Sequence, residues 1–310
     1  MVEVRGQLER CAASRGSPRR PTPLERAILG TLVYADLFDY PLTLLEIHRY
    51  LIAVPASLLE IRTALARSTW LADRIVERRG MWILRGREYL RELRTQRAAA
   101  AARLWPHALR YGRILAAIPY VRMGAVTGAL AMDNVEDGDD IDYLIVTAPG
   151  RLWLCRAMVI GLVRWAARHG IALCPNYFLS ERALALEDRN LFTAHELTQM
   201  IPLFGGPIYQ HMRAQNAWTA RFLPNAEGPP WSVEMAPTRG RWIRVGLEAI
   251  GCTPPGAWLE TWEMRRKICK FSTRQGGEVR FDPDHCQGHF DGHGQRALAA
   301  FTERFRRLCL

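Results

Sequence analysis

Between Thr22 and Leu65 apolar residues recur at helical spacing. Leu24, Ile28 and Leu32 form one stripe, Ile47, Tyr50 and Leu51 a second, and Leu58, Ile61 and Leu65 a third. Each stripe predicts the inward face of a short amphipathic helix. Each is also preceded by a hydroxyl residue with Glu three positions on: Thr22 with Glu25, Thr43 with Glu46, Ser57 with Glu60. The hydroxyl can cap the first turn while the Glu reaches back to the cap's own N–H. Pro23 falls at a first helical position, where its missing N–H costs nothing. From Arg74 to Leu84 two short β-prone runs flank Arg79 and Gly80, which predicts a hairpin.

Residues 88–117 are rich in Arg and Ala and predict a helical connector, with Pro106 marking a break. Strand and helix signals then alternate. Strands are expected at 120–127, 140–147 and 171–179, the last with a bulge or an edge at Pro175. A turn into a short helix is expected at 128–134 and a buried helix at 151–168. After Phe192 the pattern predicts helices at 192–204, 208–222, 242–250, 257–271 and 295–308, with a Pro- and Gly-rich loop at 224–240. Trp218, Trp242, Trp258 and Trp262 are expected in the core of this helical part. Residues 1–21 lack periodicity and read as a disordered arm.

Three short helices and a hairpin within residues 22–87 resemble a winged helix-turn-helix. The helix after Ser57 would then be the recognition helix, offering Arg62 and Arg67. The hairpin would be the wing, offering Arg78, Arg79, Arg85 and Arg87. Charge adds to this picture. The 310-residue chain carries +11, and residues 1–103 account for +7 of it. A basic N-terminal third suggests a nucleic-acid partner; docking onto protein is the other reading. No stretch of eighteen uncharged apolar residues occurs, so no membrane span is expected. The seven cysteines are scattered and form no CxxC pair. That excludes a zinc ribbon or a disulfide framework and points to reduced thiols in a cytoplasm.

The segment that carries chemistry runs from Val126-Thr127-Gly128-Ala129 to Asp140-Ile141-Asp142-Tyr143. Alternate residues of a strand share a face, so Asp140 and Asp142 project together. Paired carboxylates are costly unless a cation lies between them. Mg²⁺, or Mn²⁺, suits hard oxygen donors completed by water and phosphate. Gly128 would let a phosphate approach the backbone closely. The competing reading is a solvated acidic turn, since six acids fall between Asp133 and Asp142. Weaker candidates lie further on. His285 and His289 have zinc spacing only if helical, which the surrounding Gly and Pro oppose in favour of a polar loop. Arg265, Arg266, Lys267 and Lys270 could meet a polyphosphate or simply face water. Cys174 reads as a small buried hydrophobe.

The segment resembles the DNA polymerase β-type nucleotidyltransferase superfamily: Gly and a small residue, ten residues, then Asp-hydrophobic-Asp-hydrophobic. The likeness spans about 118–180. It implies an α+β chain with an N-terminal winged helix (22–87), a polymerase β-like domain (118–190) and a helical C-terminal portion (191–310) over one side of the cleft. It also implies Mg²⁺-dependent transfer of a nucleoside monophosphate from an NTP to a hydroxyl acceptor. Asp140 and Asp142 would hold the metal, and Thr127, Gly128 and Ala129 the nucleotide. The alternative is an impaired, nucleotide-sensing or nucleic-acid-binding regulator. Two departures bear on the choice. Ala129 replaces the usual Gly or Ser, and the strand at 171–179 lacks the third carboxylate the family carries there. Asn176 holds that place; Glu181 and Asp188 lie just beyond.

Overall fold

The computed structural model describes residues 20–233, 241–251, 253–272, 278–289 and 293–309. Most of the expected N-terminal arm, the end of the 224–240 loop and Asp291 therefore lie outside the described residues. So do the side chains of Trp242, His289 and His293.

The chain is mixed α+β. Helix α1 (Pro23–Asp36) precedes a short strand β1 (Leu42–Thr43) and helices α2 (Leu44–Arg49), α3 (Leu58–Arg67) and α4 (Thr69–Ala72). All three capping boxes form, each with the hydroxyl and the Glu engaged in both directions. Leu58 departs from its expected stripe: it is exposed, and Ile61 and Leu65 alone anchor α3. Strands β2 (Ile75–Arg78) and β3 (Met81–Leu84) pair antiparallel, and β1 joins the far side of β3. The two-residue turn between them holds Arg79 at φ +51° and Gly80 at φ +83°. Both left-handed positions match the twist of a tight hairpin.

Helix α5 (Leu90–Ala117) runs unbroken through Pro106, against the expected break. The ring removes one backbone bond, and buried Ala101, Ala108, Tyr111 and Leu115 hold the helix to its neighbours on both sides.

A six-stranded sheet follows, in the order β7-β4-β5-β6-β9-β8. Its members are β4 (Val121–Val126), β5 (Ile141–Thr147), β6 (Leu173–Ser180), β7 (Ile201–Phe204), β8 (Glu278–Phe281) and β9 (His285–His289). Only β5 and β6 are parallel, linked through α7 (Leu152–Ala167). The register between β5 and β6 slips where Cys174 and Tyr177 face Asp142 and Leu144, so Pro175 sits in a bulge of an interior strand.

The part beyond 191 is not all helical, as β7, β8 and β9 show. Its helices are α8 (Leu191–Gln199), α9 (Gly206–Gln215), α10 (Arg241–Gly251), α11 (Pro254–Ser272) and α12 (His293–Cys309), with a 3₁₀ turn at Ala217–Arg221. Trp218 is buried as expected. Trp258 and Trp262 on α11 are 66% and 48% exposed and do not belong to the core. Cys155, Cys174, Cys269 and Cys286 form no disulfide, but Cys309 is disulfide-bonded, so not every thiol is reduced. A scattered cysteine count gives no warning of a bond whose partners meet only in the fold. No helix among the described residues is long and apolar enough to cross a membrane.

Alternation along the strands divides the apolar residues between two faces. Tyr143 and Ile145 point towards α5 and α7. Leu144 and Val146, with Met123, Ala125 and Leu179, point towards α1, α8 and α12. Asp142 shares the face of Leu144. Its carboxylate is therefore directed at the side of the sheet that the N-terminal helices cover.

Candidate functional site

Five of the six acids between Asp133 and Asp142 are exposed, as a solvated acidic turn predicts, and Asp142 alone is partly enclosed. Asp133 accepts from the Trp105 indole at 2.7 Å, and Glu136 and Asp137 pair with Arg97 and Arg103, all from α5. Asp139 accepts from the Glu136 N–H at 2.8 Å and closes the turn. Asp140 and Asp142 remain. Ligand oxygens of these two and the Cys174 sulfur all lie within 4.8 Å of one another.

Asp142 is held firmly. Its Oδ1 accepts from Asn176 Nδ2, and Asn176 Oδ1 in turn accepts from the Cys174 thiol. Asn176 thus occupies the place expected of it, but its amide is committed to orienting Asp142. Gly128 lies against the same carboxylate at φ +65°, and a Cβ there would stand 2.2 Å from Asp142 Oδ2. The glycine is required by Asp142 itself. The helix that follows it, α6 (Gly128–Ala131), is a single turn and brings only a small dipole. Burial, then the charges of Asp140 and Glu196, push the Asp142 carboxyl up to about 7. Burial likewise pushes the Cys174 thiol up to about 12, so it stays protonated.

Asp142, Asn176, Thr127, Gly128 and Ala129 all line one cavity of about 620 Å³. Its opposite wall is the N-terminal part: Tyr34 and Phe38 around the end of α1, then Tyr40 and Tyr50. Helix α8, capped by Asn190, adds Phe192, His195, Glu196 and Gln199, one side of the helix at i, i+3, i+4 and i+7. His195 stacks on Tyr34 with ring centroids 4.1 Å apart, and burial holds it down to about 3, so it is neutral. Its Nε2 is buried without a hydrogen bond. Burial pushes Glu196 up to about 7.

Glu196 is the carboxylate that reading the sequence does not find. The two expected candidates fare differently: Asp188 is exposed at the cavity's edge, and Glu181 is absent from its lining. Only the helical stripe on α8, one carboxylate among mostly apolar neighbours, could have drawn notice to it.

The expected zinc pair falls away. His285 and His289 lie four apart on strand β9, which sets their Cα atoms about 13 Å apart. His285 Nδ1 meets Asp282 instead, at 2.9 Å. Arg62, Arg67, Arg78 and Arg79 are exposed, as a nucleic-acid surface requires, and none lines the cavity. Arg87 is not free for that purpose: it pairs with Asp36 at 3.1 Å and with Asp39. Arg85 Nε donates to the Ala72 carbonyl at 2.7 Å.

Comparison with known proteins returned nothing. No family model, curated protein or solved structure matches the chain. The chemistry of the site has to be read from its own residues.

Proposed function

We propose that the chain transfers a nucleoside monophosphate from an NTP to a hydroxyl acceptor, with Asp140 and Asp142 holding Mg²⁺ or Mn²⁺. The observation that carries this reading is the Asp142 carboxylate. It lies partly enclosed beside a second carboxylate, is oriented by Asn176, and is pushed up to about 7 by burial and by the charges of Asp140 and Glu196. A divalent cation removes that cost, and hard carboxylate oxygens suit these ions. Cys174 is the less suitable donor: its thiol is soft and protonated, and it serves Asn176.

The bound ion would neutralise charge on the polyphosphate. Thr127, Gly128 and Ala129 lie along the cavity beside Asp142, where the nucleotide would rest. In the transfer, the acceptor oxygen forms a bond to the α-phosphorus and the bond to pyrophosphate breaks. The acceptor's proton leaves to water as that bond forms. On this reading residues 22–87 are a winged helix and residues 118–190 a polymerase β-like domain.

A regulatory reading is favoured by a different observation. Arg62, Arg67, Arg78 and Arg79 stand exposed on the same unit whose α1 walls the cavity. That unit could contact nucleic acid on one side and respond to a bound nucleotide on the other.

The deciding experiment is NTP binding with and without Mg²⁺, with pyrophosphate release followed in parallel. The native chain is compared with Asp140→Asn and Asp142→Asn. Metal-dependent binding that weakens about tenfold or more in each variant, with pyrophosphate released, supports transfer. Metal-dependent binding without release, across a set of hydroxyl acceptors, supports the regulator. Binding unaffected by metal and by both substitutions defeats both.

A further inference from the structure

The cavity's charge and walls identify what else it would hold. Among the described residues lining it, Arg280 is the single Arg or Lys. That guanidinium is already taken, by Glu187 at 2.8 Å and Asp282 at 2.9 Å. The carboxylates are not balanced in the same way. Asp188 adds a further negative charge at the edge. The Glu196 carboxylate faces the cavity from α8 with no hydrogen bond or ion pair to any described residue, and its charge is felt by the Tyr34 phenol and by Asp142. The same cavity is lined by aromatic rings, Tyr34, Phe38, Tyr177 and Phe192 among them.

Where no divalent cation is bound, a chamber of this kind disfavours a free carboxylate or phosphate, which would meet like charge. A neutral ligand would leave Glu196 as costly as before. An organic ammonium answers both features, because its N–H groups pair with a carboxylate and its charge is attracted to ring faces. The volume of about 620 Å³ suits a small molecule.

We propose that this cavity binds a hydroxylated organic amine, its ammonium held by Glu196 and the aromatic wall. For its role as acceptor the proposal rests on the transfer reading above; for binding it does not. The ammonium fixes the molecule against α8, and its hydroxyl is presented towards the Asp140–Asp142 end.

The test needs neither metal nor nucleotide. Binding to the full chain is measured by calorimetry or ligand-observed NMR for matched pairs: glucosamine against glucose and glucuronate, and benzylamine against benzyl alcohol. Each amine is expected to bind about tenfold tighter than its neutral partner, and glucuronate not at all. In Glu196→Gln the preference should fall to within about twofold. That substitution relieves a buried charge, so the variant is expected to fold. Its far-UV circular dichroism and melting curve establish that independently. Amines and alcohols giving equal response in the native chain, or glucuronate binding best, overturns the proposal. So does an amine preference that survives Glu196→Gln. Amine binding without metal-dependent NTP binding would leave this proposal standing and remove the transfer reading; the reverse result would do the opposite.

Discussion

At the scale of single residues the site is an arrangement of costs. Gly128 and Asp142 touch so closely that neither tolerates much change. Gly128→Ala adds a Cβ at 2.2 Å from the carboxylate on a left-handed backbone. It should cost about 1–3 kcal/mol, lowering the melting temperature by several degrees, and should weaken metal-dependent binding together with stability. Glu196 makes a different prediction. Its carboxyl titrates near 4.5 when unfolded and about 7 when folded. The folded state therefore holds the proton more tightly. The associated stability is complete below pH 4.5 and is lost as pH rises through 7. Glu196→Gln should thus match the native chain near pH 4.5 and exceed it by roughly 1–3 kcal/mol at pH 8, measured as melting curves against pH. His195 titrates in the opposite sense, losing its contribution as pH falls from about 6.5 to about 3. It is common to both proteins and leaves the difference unchanged.

At the scale of elements, local signals and long-range ties carry different weights. The α3 box is exposed, and Ser57→Ala should cost about 1 kcal/mol. The α2 box does more than cap. Glu46 also accepts from Tyr40 Oη at 2.8 Å and receives both Arg94 nitrogens from α5, at 2.7 and 2.9 Å. Glu46→Ala should cost about 3 kcal/mol, since it leaves a largely buried guanidinium unpaired; denaturant unfolding of the two variants side by side checks the ratio. Such differences explain what could be read in advance. Caps, stripes and the Arg79-Gly80 turn are local, so α1, α2, α3, the hairpin and β4 to β6 were legible to within a few residues. Strand β7 was not. Ile201-Pro202-Leu203-Phe204 is a short apolar run that directly follows a helix, and only its pairing with β4 makes it a strand. Strands β8 and β9 were hidden by the Asp, Gly and His around them. Asp140 and Asp142 stand together as their spacing implied, with Gly128 and Asn176 beside Asp142 as the resemblance implied. Glu196 could not be placed from the sequence, because 54 positions separate it from Asp142 and the fold alone brings the two together.

For the whole molecule the central tie is Asp36. Almost fully buried at the end of α1, it receives Arg87 from beyond the hairpin and Arg304 from α12, the latter at 2.8 Å. Helices α1 and α12 are thereby fastened to each other. Asp36→Asn should loosen α12 selectively, seen as faster amide exchange along 293–309 with little change in β4 to β6.

The cavity's far wall has a practical consequence for anyone dividing this protein. A diagram would place the cut before α5, detaching an apparently independent head from the body that holds the six-stranded sheet. That cut would run through the wall of the cavity. It would also strip cover from Met123, Ala125, Leu144 and Val146, turning an interior sheet face into a sticky one. A truncated body that precipitates, or that binds nothing, would therefore say little about whether the head has a separate task. Point substitutions in the intact chain are the better scalpel.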